Sequence, residues 1–514
     1  MVYLRYVILL LAALLLAAGM VNHLGKSMND QNKNLRMGFP LVEEVYNLDP
    51  LKIHLAPQYA LLENLYSRLV LNSPEKGEPE AAIAKRYFWK ENQLHFEIRD
   101  DLSTVDGHKI TAQDAAFSLK RYLILKGGTH SDFASLVCGD KNLRSTEDHC
   151  NGIEAIGNTL ILKPATKDAY FLVPMLTEMD FAIIPQVSVD PKTLKIIDYR
   201  NTSGPFYVDK DKSGQPVLKP NKNHFLYHQN MPQEVSLVKT NSGGETAIKL
   251  FQQNKIDYIS AADSTRPDEI ISFASTAKAN LHQTVNIRTF VLVFTKKGTK
   301  HINKGQRIAI GKTLKSIMVK HFSNRPGYEI SEQFFPSFGD GSLSKSDVVG
   351  LKKLFESTTK SKSGKGLTLS FVRFGEYSTI EQKIKEELPG IQIREEKNAP
   401  AFLDYPSEND MPDMFICGPD TAFKEDIGLL TYSLEAGLLR SKEGDASKWL
   451  HDYMKISGKG ERLEKLKSLH KETLMQGFMV PLLSAPYVSL ARPPWKINFT
   501  QLYASNHLWL LNLQ

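Results

Sequence analysis

Residues 93–121 read QLHFEIRDDLSTVDGHKITAQDAAFSLKR, and two periodicities meet in them. Leu94, Phe96 and Ile98 alternate with Gln93, His95 and Glu97, the two-residue period of a strand with one buried face. Asp106-Gly107 then supplies a turn, because glycine enters left-handed backbone that other residues resist. Beyond it the period lengthens. Thr111 starts a helix with Asp114 three positions on, an imperfect capping box, and Ala115, Ala116, Leu119, Tyr122 and Leu123 form its predicted buried stripe. Strand, turn and capped helix in such close succession announce a mixed α/β chain.

The same alternation continues on both sides. Val285 to Phe294 is predicted to be a buried strand, and Lys304 to Lys320 a helix with Ile308, Ile310, Leu314, Ile317 and Met318 inside. Ser357 to Gly366 is polar and glycine-containing, as a surface loop is. After it, Leu367 to Arg373 reads as a strand, Thr379 to Leu388 as a helix and Ile391 to Arg394 as a strand, the order of a βαβ unit and the start of a second α/β lobe. A last helix, Gly460 to Gln476, leads into the apolar strand Val480 to Ser484. At 514 residues the chain exceeds one domain of about 100–200 residues, so two or three lobes are expected.

A hydrophobic fraction of 42% and a charged fraction of 24% are those of a folded protein and exclude a disordered one. The net charge of +7 is spread over 64 cationic and 57 anionic side chains, too diffuse for a nucleic-acid partner. The densest cationic run, Lys296, Lys297, Lys300 and Lys304, lacks interleaved aromatics and reads as a solvated loop. At the N-terminus, Arg5 precedes the apolar run Tyr6 to Ala18, the length of a signal-peptide core and short of a membrane span. Ala17, Ala18 and Gly19 are small, but no clean Ala-x-Ala follows, so residues 1–25 are an export signal or an uncleaved anchor. Either places the protein in the periplasm or cell envelope. An oxidising compartment allows Cys138 and Cys150 to form a disulfide contributing roughly 3 kcal/mol; two free thiols are the other reading, and Cys417 stands alone.

Catalytic signatures are absent. Two glycine–lysine segments, at Gly25-Lys26-Ser27 and Gly311-Lys312-Thr313, have their preceding glycine six positions away, where a phosphate loop needs five. His224 and His228 are four apart without an acidic or cysteine partner, so no metal site is expected there and no cofactor elsewhere. Adjacent carboxylates such as Asp100 and Asp101 point to opposite faces of a strand and do not make an acid–base pair. The chain reads as a protein that is not an enzyme.

Several separated segments resemble the oligopeptide- and dipeptide-binding class of ABC-transporter solute receptors. They are Leu48-Asp49-Pro50 with Leu62, Asn64, Leu65, Tyr66, Leu69 and Val70; then Glu78-Pro79, Ala84, Phe96, Arg99-Asp100, Asp106-Gly107, Thr111-Ala112, Asp114 and Phe117 to Arg121. Ser203 to Val208 with Leu218 and Asn221, then Asp257-Tyr258-Ile259, Phe402-Leu403-Asp404 and Asp413 to Gly418 extend the likeness. The resemblance implies a two-lobed periplasmic-binding-protein fold, α/β and hinged, with a discontinuous first lobe carrying an extra subdomain. Lobe one would take residues 26–284 and 481–514, with the subdomain at about 55–185, and lobe two residues 285–480.

It also implies a ligand, an oligopeptide or other small extended solute, held between the lobes by a monomer that a membrane permease recognises. Cys417, Gly418, Pro419, Asp420 and Tyr207 are the expected ligand-binding residues. Where peptide-binding members carry Trp-x-x-Asp to pair with the peptide ammonium, this chain has Pro419 and Ala422, so either Asp420 takes that role from two positions away or the ligand is not an ordinary peptide. A membrane-tethered sensor with the same lobes and a secreted hydrolase are the alternatives.

Overall fold

The computed structural model describes residues 33–513, apart from 54–55, 74–77, 127–130, 139–142, 166–168, 170, 241–244, 261–265, 372–376, 396–404, 406, 420–429, 431–432, 435, 442–443, 445, 457 and 500–505. Its strands, in chain order, are β1 (Asn34–Phe39), β2 (Val70–Asn72), β3 (Pro79–Ala81), β4 (Ala84–Lys90), β5 (Gln93–Ile98), β6 (Ile153–Ile156), β7 (Thr159–Leu162), β8 (Phe206–Lys210), β9 (Pro216–Pro220), β10 (Glu234–Lys239), β11 (Tyr258–Ile259), β12 (Asn280–Gln283), β13 (Arg288–Phe294), β14 (Glu329–Ile330), β15 (Thr368–Phe371), β16 (Gln392–Glu395), β17 (Met414–Cys417), β18 (Met479–Ala485), β19 (Val488–Ala491), β20 (Trp495–Ile497) and β21 (Leu511–Leu513).

Two large sheets organise them. The first has the order β12-β19-β11-β1-β10-β9-β8 and the second β14-β18-β13-β17-β15-β16, while β4-β5-β7-β6 forms a separate antiparallel sheet. The chain leaves the first sheet after Gln283, enters the second at Arg288, and returns between Ala485 and Val488. Pro481 therefore lies inside the second sheet, opposite Val291, where the division drawn from sequence already returns to lobe one. Proline has no N–H to donate to a ladder, and this one is accommodated because the β13–β18 register shifts between Phe290 and Val291.

The stretch that opened the sequence reading folds as its periodicities require. Leu94, Phe96 and Ile98 are buried along β5, and the helix Ala112–Lys126 follows. Its inner face includes two polar residues that the hydrophobic pattern passes over, Ser118 and Arg121, while Ala116 and Leu123 are only partly buried. Ser118 accepts from the Ile184 N–H at 2.8 Å, and Asp114 accepts from Thr111 N–H at 3.0 Å and from Gln186 N–H at 2.9 Å. This helix face thus satisfies the backbone of residues 184–186, which would otherwise be buried without partners.

Farther along, β15 and β16 pair in parallel with the helix Tyr377–Glu387 between them, a true βαβ unit. The lysine run at 296–304 differs from the solvated loop expected of it: Lys296–His301 is a short helix, started by the Thr295 hydroxyl accepting from Gly298 N–H at 3.1 Å. The next helix, Lys304–Phe322, has a full capping box between Asn303 and Gln306.

Buried polar ties hold the first lobe together. Arg121, 2% exposed, meets Asp49 through two bonds of 3.2 and 2.5 Å and donates its Nε to the Leu194 carbonyl at 2.8 Å. Asn64 donates to Asn506 O at 2.9 Å and accepts from Leu508 N–H at 2.8 Å, clipping the C-terminal segment onto the helix Ala56–Leu65. Cys138 and Cys150 are joined as a disulfide with Cα atoms 5.1 Å apart. The expected export segment at residues 1–25 lies outside the described residues; among those described, no helix is long and apolar enough to cross a membrane.

Asp49→Ala leaves the Arg121 guanidinium buried without its carboxylate, and about 3 kcal/mol of stability should be lost in chemical denaturation. Two buried histidines give a second expectation. Burial pushes His470 down to about 4 and, with the nearby Arg99 charge adding to it, His224 down to about 3. Each folded-state value lies below that of the unfolded chain, near 6.5, so the stabilisation is whole above that pH and is lost as pH falls toward the folded values. Between pH 6.5 and 4 the decline should approach about 1.4 kcal/mol per pH unit for each histidine, and His470→Phe should remove one share of it in pH-resolved calorimetry.

Candidate functional site between the sheets

Strand direction locates the site. β1 is parallel to β10 and to β11, so Phe39, Lys239 and Ile259 end side by side, and Thr240 N–H donates to Phe39 O at 3.2 Å. In the second sheet β15 is parallel to β16 and β17, which brings Phe371, Glu395 and Cys417 to one edge. β13 runs antiparallel to β17, placing its first residue, Arg288, at that same edge. β19 is antiparallel to β11, so Val488 begins where β11 ends. Both crossings therefore leave and enter at the carboxyl edges of the parallel strands, where open α/β sheets bind their ligands.

The two crossing segments are bonded to each other. Thr284 N–H donates to Tyr487 O at 3.0 Å, and Tyr487 N–H donates to the Thr284 hydroxyl at 2.8 Å. The Tyr487 ring, 4% exposed, carries the Arg288 guanidinium 4.2 Å above its face and takes a hydrogen bond from it on the phenol oxygen. A stacked guanidinium keeps its planar fork oriented, the geometry suited to a carboxylate.

Opposite Arg288 lies the end of β17. Asp413 sets that strand beside β15, accepting from Thr368 N–H and hydroxyl at 2.8 Å each. Past the last pair, Thr289 N–H donates to Pro419 O at 3.2 Å. At Gly418 backbone approaches side chain closely: a Cβ there would stand 2.8 Å from two Phe290 ring carbons and 3.5 Å from Arg288 Cδ.

Gly418 and Pro419 thus lie at the edge, half-buried beside Arg288. Cys417 contributes only its backbone there, because its side chain is 7% exposed in a cluster with Val291 and Phe415, and burial pushes its thiol far above the ordinary range. Such a thiol is inert. Asp420 lies outside the described residues, as do Phe402, Leu403 and Asp404. Tyr207 is not brought to this place. It sits on β8, the far edge strand, under the Arg200 guanidinium at 5.3 Å. Five strand positions separate β8 from β19, about 24 Å at ~4.8 Å per strand.

Thr284, Arg288 and Tyr487 escaped the sequence reading. Val285 to Ile287 looked like the start of a strand that in fact begins at Arg288, and nothing in the composition marks a crossing. His224 and His228 have structural partners: His224 Nδ1 accepts from Leu226 N–H at 3.1 Å, and His228 Nε2 lies 2.7 Å from Trp509 O. Among the described residues no group of His, Cys, Asp and Glu is arranged to hold a metal.

Comparison with known proteins agrees with this geometry. Residues 78–316 match the bacterial extracellular solute-binding proteins, family 5 (middle region). This segment belongs to that family. The match takes in the stretch that opened the sequence reading and runs past the first crossing into the second lobe. The chain is 30% identical over 122 residues to the periplasmic murein peptide-binding protein MppA of Escherichia coli, covering 23% of this chain and 22% of that protein. It is 25% identical over 249 residues to a dipeptide-binding protein of Lactococcus lactis, covering 45% and 44%. The matched stretches thus span less than half the length of these two relatives. The solved structure of the periplasmic binding protein DppA from Helicobacter pylori, in complex with the peptide STSA, superposes over 94% of this chain and 99% of that one, with a TM-score of 0.71 at 15% identity. The fold is the two-lobed α/β fold of these binding proteins, and the proteins it resembles are binding proteins of transporters.

Gly418→Ala should cost about 1–3 kcal/mol, because the added methyl meets a rigid ring and either Phe290 or the end of β17 must shift. A lowered melting temperature in calorimetry checks it.

Proposed function

We propose that this protein is the solute-binding receptor of an ABC transporter, capturing an oligopeptide or similar extended solute between its lobes by hinge closure and altering nothing in it. The observation that carries this reading is the pair of crossings, bonded through Thr284 and Tyr487 and set at the carboxyl edges of both sheets. A ligand bound there touches both lobes at once, so it binds a closed arrangement better than an open one, and that difference is the whole of the work. The closed shape is then the signal a permease reads.

Main-chain N–H and C=O groups left beyond the ends of parallel strands can bond the backbone of an extended ligand. Asp420, two positions beyond Gly418, is assigned to the ligand's ammonium, and Arg288 to a carboxylate of the same ligand. The site of action is the periplasm or cell envelope, reached through residues 1–25, and the receptor acts as a monomer without cofactor or catalysis. His224, His228 and His470 are engaged in structure and Cys417 is sealed in a core, which supports a role without chemistry.

Native mass spectrometry of the purified protein should show a bound peptide that leaves unchanged in mass. In calorimetry, Asp420→Asn should weaken a tetrapeptide with a free N-terminus at least about tenfold while leaving its N-acetylated form alone. A guest recovered as a cleaved product, or no thermal shift across free and acetylated peptides, would overturn the proposal.

A further inference from the structure

Beside the crossings, one ion pair joins the two lobes. Asp268 stands in the first turn of the helix Pro267–Ala277, which follows β11 in the first lobe. Arg325 comes from the segment between the helix Lys304–Phe322 and β14 in the second lobe. Arg325 Nη1 lies 3.4 Å from Asp268 Oδ2, and Arg266 Nη2 lies 3.9 Å from the same oxygen. The contact is close-fitting around them. Gly327, at φ +86°, has no room for a Cβ, which would stand 2.9 Å from Ile271 Cδ1 and 3.4 Å from Pro486 Cδ.

Two features set this pair apart from an ordinary internal one. Its separations exceed the roughly 2.7–2.9 Å of a well-formed charge-assisted hydrogen bond. The carboxylate is 7% exposed, yet its other oxygen, Oδ1, is buried with no hydrogen-bond partner. A buried carboxylate within one rigid body would be served by its own surroundings. Here the nearer of its two cations, Arg325, belongs to the other lobe, so that separation is set by where the lobes stand. Both groups lie at the cleft-facing edges of their sheets: the helix of Asp268 begins at the carboxyl end of β11, and the Arg325 segment leads into β14, which pairs with the last residues of β18. Because one group stands on each lobe, rotation of the lobes about the crossings changes the gap between them.

We infer that Asp268 and Arg325 form an interlobe latch, incomplete in the present arrangement and completed by a two-pronged bond when the lobes close. The latch biases the unliganded receptor toward closure and so sets how much of a ligand's binding energy appears as affinity. Arg325 is held for this by its place over the Phe322 ring, 5.3 Å from the centroid, and by His321 Nε2 at 3.2 Å. The inference rests on the two-lobed, hinged reading above but not on what the ligand is.

The test uses the full chain without ligand. Val187→Cys and Val349→Cys, exposed positions in the first and second lobes, accept spin labels, while Cys417 is buried and Cys138 is bonded to Cys150. Pulsed dipolar spectroscopy should resolve a shorter-distance population in the otherwise wild-type chain. Asp268→Asn and Arg325→Gln should each reduce it about fivefold, and the double variant no further, as for two ends of one bond. Unchanged melting of the near-isosteric Asp268→Asn separates this effect from unfolding. A single distance shared by wild type and variants, a short population that grows in the variants, or a double variant whose loss is the product of the single losses, each overturns the latch. A failure of peptide binding would leave these distances as they are.

Discussion

The two lobes are joined by two short crossings that are hydrogen-bonded to each other. Thr284 and Tyr487 exchange backbone and hydroxyl bonds midway between the sheets, making the joint a narrow ribbon and not a single thread. A single connecting strand would let the lobes twist and slide. Two bonded strands suppress those motions and leave bending, since the few backbone dihedrals between Gln283 and Arg288 and between Ala485 and Val488 absorb the change. Because the crossings emerge at the carboxyl edges of both sheets, the axis of bending lies beside the edge that carries Arg288, Gly418 and Pro419. Small rotations there are felt directly by Arg288, Gly418 and Pro419.

Bending at a joint is useful only if the parts on either side stay rigid, and the buried polar groups serve that end. Asp49 and Arg121 lie far apart in sequence, and their bidentate bond fixes the subdomain helix against the opening segment of the first lobe. Asn64 does the same for the C-terminal segment. In the second lobe, His470 accepts from Phe334 N–H at 3.0 Å, and its other ring nitrogen lies 2.9 Å from Gly341 O, pinning the segment before the helix Lys345–Ser357. Such groups contribute little net stability beyond a well-packed apolar alternative. Their effect is to make one arrangement of each lobe much better than its neighbours, so that motion is confined to the joint.

The elements whose chemistry is local were legible in the sequence. Alternation in 93–98, the capped helix after Thr111 and the βαβ order from 368 to 395 all appear where their periods place them, within a residue or two. What was not legible depends on partners distant in the chain. Ser118 and Arg121 interrupt an apolar stripe, and only the fold shows that Ile184 and Asp49 await them. Val285 to Ile287 has the composition of a strand but joins two sheets without pairing as one, since residue type does not encode which sheet a strand enters. Pro481 reads as a boundary and is instead tolerated at a register shift. Gly418 was singled out by its motif, whereas the Phe290 ring packed against it was not legible; Tyr207 was drawn in by its neighbouring motif, while strand order puts it at the opposite edge.

The side chains beside the crossings suit the holding of a charged group. Catalysis asks for a group whose protonation can change during the reaction, placed near water and near the bond to be broken. Beside the crossings and the end of β17 the described side chains are of another kind: an arginine fixed on an aromatic ring, a threonine spent on the opposite crossing, a glycine and a proline. The one thiol points into an apolar core, where charge on sulfur is disfavoured. A guanidinium keeps its proton at any physiological pH, so Arg288 offers a constant charge and a constant shape. A constant charge and a constant shape suit the recognition of one fixed group.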